Sequence, residues 1–256
     1  MTSPAVSAAP PGAPAPDGEP SPDVARTSRP EDALRVMSYN VQDFTADGAA
    51  AVRVVRAVQP DVLCLQEVPR RLTTEFRLPA FARACGLYWS GGRLGTGGTA
   101  VLTTLRLRVH ATTARRLRVR FPDRTRGFAS VLVSRPGHAP VTVVSVHLGL
   151  RADERIQHAD VILEGPLQRT LVAGDLNEAA DGQAYARFAA RFGLASNGQP
   201  TFPSDRPHAA LDVIFASADL RTRSASAAER AGLDVEDLAA ASDHRPIWVD
   251  VLPDSP

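Results

Sequence analysis

The sequence contains no lysine. All 29 of its basic residues are arginine, and they are balanced by 28 acidic residues, which gives a formal net charge of +1. A charge so close to zero does not by itself predict a polyanionic partner. Arginine suits bidentate binding of phosphate, but codon usage that favours arginine explains the same bias, and arginines scattered over a surface are ordinary.

Cysteines, aromatic residues and long apolar runs are also scarce. Two cysteines are too few for a disulfide framework, and Cys64, inside Val-Leu-Cys-Leu, is predicted to be a small buried residue. No run approaches the roughly 18 apolar residues that a membrane span needs. Aromatics make up 5% of the chain, which argues against a stacking platform for single strands and against an exposed aromatic anchor for a lipid surface. We expect a monomeric, cytoplasmic protein that does not bind a membrane.

Two regions differ in composition. The segment Met1–Pro30 holds eight prolines and six alanines, so it cannot bury enough apolar surface to offset the entropy of ordering. It also lacks the basic start and the apolar core of a signal peptide. We predict a disordered tail over residues 1–31 and one domain over residues 32–256.

Short apolar runs alternate with helical or turn-rich stretches from Leu34 onward. About ten strands with only four helices exclude a repeating β-α barrel, and consecutive strands imply antiparallel pairing within mixed sheets. The pattern therefore predicts an α/β fold of two stacked mixed β-sheets flanked by helices. The predicted strands are 34–39, 61–66, 99–103, 105–109, 117–121, 128–134, 141–146, 170–173, 211–216 and 247–251, and the predicted helices are 48–58, 73–85, 152–163 and 183–192.

Acids, amides and histidines gather at the ends of these strands. Four apolar strands end in such a residue, and two more are preceded by one, so antiparallel neighbours can bring them all to one edge. Taken singly, each is more often a cap, an exposed charge or a satisfied core histidine. Eight together predict one site. The eight residues are Asn40, Glu67, His147, Asp175, Asn177, Asp212, Asp243 and His244.

A cluster of four carboxylates, two amides and two imidazoles is costly unless a cation lies among them. Oxygen ligands without cysteine favour magnesium or manganese, or calcium, over structural zinc. The remaining groups suit phosphoryl displacement, which needs a base for water, a donor to the phosphoryl oxygens and a route for protonating the leaving oxygen.

The local sequences sharpen this prediction. They are Ser38-Tyr-Asn-Val, Leu65-Gln-Glu-Val, Ser145-Val-His-Leu, Gly174-Asp-Leu-Asn, Thr201-Phe-Pro with Leu211-Asp-Val-Ile-Phe, and Ser242-Asp-His-Arg-Pro. In this order they resemble the endonuclease/exonuclease/phosphatase superfamily, which shares the fold of pancreatic deoxyribonuclease. The resemblance spans Leu34 to Val251 and implies a four-layer α/β sandwich with its site at one rim.

The resemblance also implies roles for the metal-binding residues. Glu67 would bind the divalent metal, Asn40 would support it, and Asp243 would lie beside it. Magnesium or manganese is the expected cofactor.

The resemblance assigns the remaining residues to the reaction itself. Asp175 would orient or deprotonate the attacking water, and Asn177 would contact the phosphate. His244, held by Asp212, would donate to the phosphoryl oxygen. His147 matches a histidine that serves one branch of the family as a general acid.

Two departures from the family pattern bear on the substrate. The glycine-rich segment Gly95–Ala100 has no aromatic residue, and Thr99 stands near the expected asparagine. Abasic-site endonucleases usually lack a histidine at the position of His147, so both points argue against repair of abasic DNA. Pancreatic deoxyribonuclease pairs this histidine with a glutamate, but here no glutamate lies between Glu75 and Glu154.

An arginine-rich segment points toward nucleic acid. Arg106 to Arg126 holds eight arginines and one acid, Asp123, and such an excess can follow a phosphate backbone. The segment can equally keep the outer faces of paired strands soluble. We predict a metal-dependent phosphodiesterase acting on DNA or RNA, with substrate binding by Arg116, Arg118 and Arg120. The alternatives are a phosphatase or phosphodiesterase for a small or lipid-derived phosphoester, and a catalytically inactive binding module.

Overall fold

The computed structural model describes residues 29–254, apart from residue 31, residues 70–73 and residues 90–96. The predicted disordered tail, residues 1–31, lies outside the described residues except for Arg29 and Pro30.

Two six-stranded mixed sheets form the centre of the fold. In sheet A, β1 (Leu34–Asn40) and β2 (Val62–Gln66) are parallel, and the other neighbouring strands are antiparallel. In sheet B, β7 (Val141–His147) and β8 (Thr170–Asp175) are the parallel pair. Sheet A has the spatial order β11 (Thr222–Ser224), β12 (Ile247–Val251), β1 (Leu34–Asn40), β2 (Val62–Gln66), β4 (Ala100–Thr103) and β3 (Tyr88–Trp89). Sheet B has the order β5 (Arg108–Leu117), β6 (Arg126–Ser134), β7 (Val141–His147), β8 (Thr170–Asp175), β10 (Asp212–Ala216) and β9 (Gly193–Leu194).

Helices cover the outer faces of both sheets, which gives four layers. One apolar core lies between the sheets, and two more lie beneath the helices on either side. Central strands are therefore buried on both faces and read as nearly continuous apolar runs. The helices are α1 (Gly48–Val58), α2 (Thr74–Ala84), α3 (Ala152–Ile162), α4 (Gln183–Ala189), α5 (Ala227–Ala231) and α6 (Val235–Ala241), with a 3-10 turn at Gln42–Phe44. No helix among the residues described is long and apolar enough to cross a membrane.

The residues at the two ends of α1 explain where this helix begins and ends. The Asp47 carboxylate accepts hydrogen bonds from the backbone N–H groups of Ala49 and Ala50, at 2.8 and 3.1 Å, and so caps the start of α1. The helix ends at Val58, and the next residue, Gln59, has a left-handed backbone with φ of 54°. The predicted bounds of α1 are confirmed.

The two strands predicted at 105–109 and 117–121 are wrong. One continuous strand, β5, spans Arg108–Leu117, while residues 105–107 form a turn. Strand β5 lies at the edge of sheet B and is exposed along most of its length. An edge strand with both faces in water shows no apolar alternation, and so its middle, rich in threonine and arginine, does not resemble a strand by pattern.

Candidate active site

One cross-strand row of sheet B contains three of the predicted site residues. His147 at the end of β7 is in register with Asp175 at the end of β8, and Asp175 is in register with Asp212 at the start of β10. On the other side of His147 the row continues through Gly127 to Arg116 on β5. Adjacent strands lie about 4.8 Å apart, so register alone places these side chains at one edge of the sheet.

Sheet A brings Asn40 and Glu67 to the same edge, at the ends of parallel β1 and β2. The Asn40 side-chain N–H donates to the Asp175 carboxylate at 3.0 Å, which joins the two sheets across the site. The Asn40 Oδ1 accepts the backbone N–H of Gln42 at 3.1 Å. Beneath this layer, Gln66 donates to the Ser145 hydroxyl at 3.1 Å, a second buried bond between the sheets.

Asp175 lies at the centre of the cluster and is fully buried. Besides Asn40, its carboxylate accepts the backbone N–H of Asn177 at 2.8 Å. Its Oδ2 lies 3.5 Å from Nε2 of His147 and 3.8 Å from Nε2 of His244. Burial, and then the negative charge of Asp212, raises the pKa of Asp175 above its ordinary value. This carboxyl is thus suited to accept a proton near neutral pH.

Gly174, just before it, leaves no room for a side chain. A Cβ there would lie 2.0 Å from the carbonyl oxygen of Val146, so only glycine lets β7 and β8 approach this closely. In the same way, a Cβ at Gly97 would lie 2.1 Å from the backbone of Arg126. The close packing of β7 against β8 therefore requires the glycine in Gly-Asp-Leu-Asn.

Asp212 and His244 form a buried hydrogen-bonded pair. The distance from Nδ1 of His244 to Oδ2 of Asp212 is 2.8 Å, and the Thr201 hydroxyl donates to the same oxygen at 2.5 Å. The ring of Phe202 packs on the imidazole with centroids 4.9 Å apart. Burial alone lowers the pKa of His244, but the Asp212 carboxylate outweighs burial and raises it to about 10. His244 is therefore a cation whose Nε2–H is free to face the site.

Glu67 reaches the cluster from a strained backbone position. Its φ is 53°, a left-handed value that is costly for a residue with this side chain. One carboxylate oxygen lies 3.8 Å from Nε2 of His147, and the other lies 3.9 Å from Arg124. The carboxylate accepts no hydrogen bond from the residues that the structure describes, so it is available to a ligand.

Asn177 and Asp243 are less central than the other predicted residues. The Asn177 amide donates to the carbonyl of Leu148 at 3.0 Å, and its backbone is left-handed with φ of 52°. Asp243 is half-buried, and its Oδ1 lies 3.4 Å from the Ser242 hydroxyl. Asp243 helps to raise the pKa of His244, so it contributes negative charge to the site.

The three arginines predicted to bind substrate differ from one another. Arg116 and Arg118 are exposed, and no described acid pairs with either. Arg120 donates to Asp153 at 2.6 Å and to Glu154 at 3.0 Å, so its charge is already neutralised by α3. Only the first two remain open to a polyanion.

Four residues of the site were not singled out from the sequence. Thr201 and Ser242 support Asp212 and His244, the latter through a hydrogen bond of 3.2 Å from the His244 backbone N–H to the Ser242 hydroxyl. Arg124 donates to Asp43 at 2.6 Å beside Glu67. Arg126 is buried, and burial lowers its pKa although Glu67 and Asp175 oppose that shift. The sequence offered two signals for these residues. Ser242 stands two positions before His244, and Arg124 lies after the turn that follows β5, with Arg126 at the start of β6.

Exposed aromatic residues are present, contrary to the expectation from composition. The side chain of Phe121 is 97% exposed in the turn after β5, and that of Phe76 is 77% exposed. Phe121 lies in the predicted strand 117–121 and Phe76 in the predicted helix 73–85, so a low aromatic content did not exclude exposed aromatic residues within predicted elements.

The residues fit a divalent cation. Buried Asp212 keeps one oxygen, Oδ1, without a hydrogen-bond partner in the described part of the chain. Ligand atoms of Asp175, Asp212 and His244 lie within 4.8 Å of one another. Nδ1 of His244 is hydrogen-bonded to Asp212, and Glu67 with Asn40 offers a set of oxygen ligands at the same edge. The three buried residues therefore differ from the ligand set predicted from the sequence.

The fold and this site define a phosphoester-hydrolase class. The Endonuclease/Exonuclease/phosphatase family matches residues 37–244, and the chain belongs to that family. Members of the family are hydrolases that act on phosphoesters. Among proteins with curated functions, none matches this sequence.

Solved structures share the fold at low identity. An endonuclease/exonuclease/phosphatase from Bacteroides vulgatus is 16% identical with a TM-score of 0.68, covering 87% of this chain and 99% of its own. ANGEL2, a 2′,3′-cyclic phosphatase, is 15% identical with a TM-score of 0.63, covering 86% and 95%. The catalytic domain of human Nocturnin is 18% identical with a TM-score of 0.61, covering 87% and 95%. These likenesses confirm the predicted four-layer sandwich.

Proposed function

We propose that the protein is a divalent-metal-dependent phosphodiesterase that acts on DNA or RNA. The observation that carries the chemistry is the meeting of Asn40, Glu67, His147, Asp175 and the Asp212–His244 pair at one edge of the sandwich.

Each residue has a role that its contacts support. Asp175, buried and with a raised pKa, accepts a proton from the attacking water. His244 donates from Nε2 to a phosphoryl oxygen, because Asp212 holds its other nitrogen and keeps the ring charged. His147 lies between Glu67 and Asp175, where it can protonate the leaving oxygen. The role of Asn177 as a phosphate contact comes from the family resemblance alone, because its amide donates to the carbonyl of Leu148.

Glu67 and Asn40 would hold the cation, with Asp243 beside it. When bound, the metal polarises the phosphoryl group and offsets its developing negative charge. Magnesium or manganese suits an oxygen-only ligand set.

The choice of nucleic acid as substrate depends on the surface next to the site. Arg116 is two strands from His147 in the cross-strand row, roughly 10 Å away. Arg118 and exposed Phe121 continue from it in the following turn. Cationic side chains with an adjacent aromatic are the features that bind a phosphate backbone and a stacked base.

The test is a metal-supplemented screen with plasmid DNA, oligonucleotides, RNA, 2′,3′-cyclic phosphates, sphingomyelin, inositol phosphates and bis-p-nitrophenyl phosphate. We expect cleavage of nucleic acid and of the chromogenic diester with magnesium or manganese, and none with excess chelator. Cleavage confined to sphingomyelin or inositol phosphates would replace the proposed substrate. No turnover of any ester would leave a binding module.

Glu67→Gln tests the metal-binding role. Losing the carboxylate charge should weaken metal affinity and reduce turnover of the chromogenic diester by about 10-fold or more. Exposed Glu236 on α6 supplies the matched control, Glu236→Gln, which should behave as the wild type. If Glu67→Gln has the same metal dependence as the wild type, the metal lies elsewhere.

A further inference from the structure

A cavity lies beside the active site and takes no part in the proposed chemistry. This cavity, the β12 pocket, measures about 280 Å³ and lies between α5, α6, the loop 199–201 and the start of β12. Small-molecule sites begin at roughly 300 Å³, so the pocket is close to the lower end of that range, which suits one small group and is far too small for a polymer. The residues that line the pocket include Thr201, Arg230, Ala231, Leu238, Arg245 and Trp248.

One layer of residues separates the β12 pocket from the reacting groups. The backbone N–H of Arg245 donates to the carbonyl of Thr201 at 2.8 Å, which joins β12 to the loop. On its other side Thr201 donates to Asp212, and Arg245 directly follows His244 in the chain. The wall of the pocket thus includes residues that contact the reacting groups, so a ligand in the pocket lies next to the active site.

The pocket is positively charged. Two arginines line it, and no acid does. Arg245 donates from Nε to the carbonyl of Ser204 at 2.7 Å, and Arg230 donates to the carbonyl of Ala225. Neither forms an ion pair with a carboxylate in the described part of the chain, so both charges are available to an anion.

The floor of the pocket is apolar. Leu238 and Trp248 are 4% and 1% exposed and form part of the lining, so they support the floor and offer a ligand little surface. Val235, which also lines the pocket, is 64% exposed. An apolar part of a ligand can therefore pack on Val235 while an anionic group lies at the arginines.

We propose that the β12 pocket binds one nucleoside phosphate unit of the substrate. The phosphate lies between Arg230 and Arg245, and the base packs on the exposed side chain of Val235. The assignment rests on the proposed function, because it makes this nucleotide a neighbour of the scissile phosphate. The pocket thereby favours nucleic acid over small esters that lack a base.

Binding is measured first, by calorimetry on the full chain in excess chelator, where hydrolysis cannot occur. The probes are the four 5′-mononucleotides, inorganic phosphate and hexyl phosphate. We expect saturable binding of at least one mononucleotide, at least 10-fold tighter than either of the other two. Equal affinity for hexyl phosphate would overturn recognition of a base, and no saturable mononucleotide binding would overturn the site itself.

Two variants locate the binding. Ala231 is exposed at the pocket mouth, so Ala231→Phe fills the pocket without disturbing the core, and it should weaken mononucleotide binding at least 10-fold. Ala228→Phe, on the same helix but outside the lining, is the matched control and should bind as the wild type. Arg230→Gln should also weaken binding about 10-fold, and melting temperatures check that each variant folds. Undiminished binding by both Ala231→Phe and Arg230→Gln would place the nucleotide elsewhere.

Kinetics then separate this proposal from the proposed function. Ala231→Phe should raise KM for a short oligonucleotide at least 10-fold more than it changes kcat, while Ala228→Phe leaves both at wild-type values. Mononucleotide binding without any turnover would refute the nuclease and retain the pocket. Nucleic-acid cleavage without mononucleotide binding, and with KM unchanged in Ala231→Phe, would refute the pocket and retain the nuclease.

Discussion

At the scale of single residues, the site depends on side chains that act together, as Asp212 and His244 do. His244 can donate to a phosphoryl oxygen because Asp212 fixes its ring and Thr201 and Phe202 confine both groups. A charged imidazole in a water-poor site is worth far more than the same group in solvent. We therefore expect the two residues to behave as one unit.

A double-mutant cycle tests this unit. His244→Ala should reduce the single-turnover rate on one diester by about 100-fold or more, as loss of a transition-state donor commonly does. Asp212→Asn should cost less, since the ring remains but loses its charge bias. The double mutant should be scarcely worse than His244→Ala. Losses that multiply would show two independent residues.

At the scale of elements, the arginines in and after the edge strand β5 have two roles. One is paired with acids of α3, and two face solvent, but the sequence does not distinguish them. Arg116 lies in β5, and Arg118 and Arg120 follow it. Only the fold reveals that Arg120 is bound to α3 while Arg116 and Arg118 are open. The backbone carbonyl of Arg118 accepts a hydrogen bond from His158 at 2.7 Å, which fixes this segment on α3.

Charge reversal distinguishes the proposed binding of nucleic acid by Arg116 and Arg118 from the ion pairs of Arg120 with α3. The Arg116→Glu, Arg118→Glu double variant should weaken nucleic-acid binding and flatten its salt dependence by a slope of about 2, one for each lost contact. Its melting temperature should stay near that of the wild type. Arg120→Glu should instead lower the melting temperature, because it places a third acid beside Asp153 and Glu154. An unchanged salt slope in the double variant would show that β5 does not bind nucleic acid.

Helix α5 carries a pH-dependent contact at the other end of sheet A. Glu229 accepts from Arg223 at 2.9 Å and from the backbone N–H of Ser226 at 2.7 Å. Burial alone raises the pKa of Glu229, but Arg223 and Ser226 outweigh burial and hold it at about 2, below its ordinary 4.5. A lowered pKa means that the contact stabilises the fold fully above pH 4.5 and that this contribution is lost as pH falls toward 2.

Glu229→Gln measures this contribution. At pH 7 the variant should be less stable by about 1–3 kcal/mol, as expected for a half-buried ion pair in which the Arg223 side chain is 32% exposed. The difference from the wild type in denaturant unfolding should shrink as pH falls from 4.5 toward 2. Exposed Glu236→Gln should show no such difference at any pH. A difference independent of pH would mean that lost packing, not charge, is responsible.

Whether a helix or strand could be predicted from the sequence depended on its environment in the fold. Strand β8, Thr170–Asp175, is buried on both faces, so its apolar run and its terminal acid were both evident. Helices α5 and α6 were missed because they are short and expose most of their residues, which leaves no long apolar stripe. Capping signals at Ser226 and Asp234 were present but are weak alone.

The same limit applies within the site. Strand-end acids and histidines could be predicted to meet because register fixes where strands end. The neutralisation of Arg120 by α3, and the approach of His147 to Glu67 and Asp175, depend on how separate layers dock. Pattern within one segment carries no information about such contacts.

At the scale of the whole molecule, the domain boundary should fall at Arg29. Its guanidinium lies 2.7 Å from the Asp61 carboxylate and donates to the carbonyl of Ala33 at 2.6 Å. Asp61 in turn accepts the backbone N–H of Arg35 at 2.9 Å, beside the start of β1. Arg29 is therefore joined to the first strand, whereas residues 1–28 are predicted from composition to add nothing to the core.

Two truncations test this boundary. A chain that begins with methionine followed by Arg29 should keep the melting temperature and turnover of the full chain, since the Arg29–Asp61 ion pair remains. A chain that begins with methionine followed by Asp32 loses that pair and leaves Asp61, whose side chain is 4% exposed, without its cation. A half-buried pair of this kind contributes about 1 kcal/mol, which corresponds to a melting temperature lower by roughly 2–4 °C for a domain of this size. Turnover should survive in both chains, because the site lies at the opposite end of β1. A large loss in the first truncation would show that residues 1–28 dock on the domain, and equal melting temperatures in both would show that Arg29 does not mark the boundary.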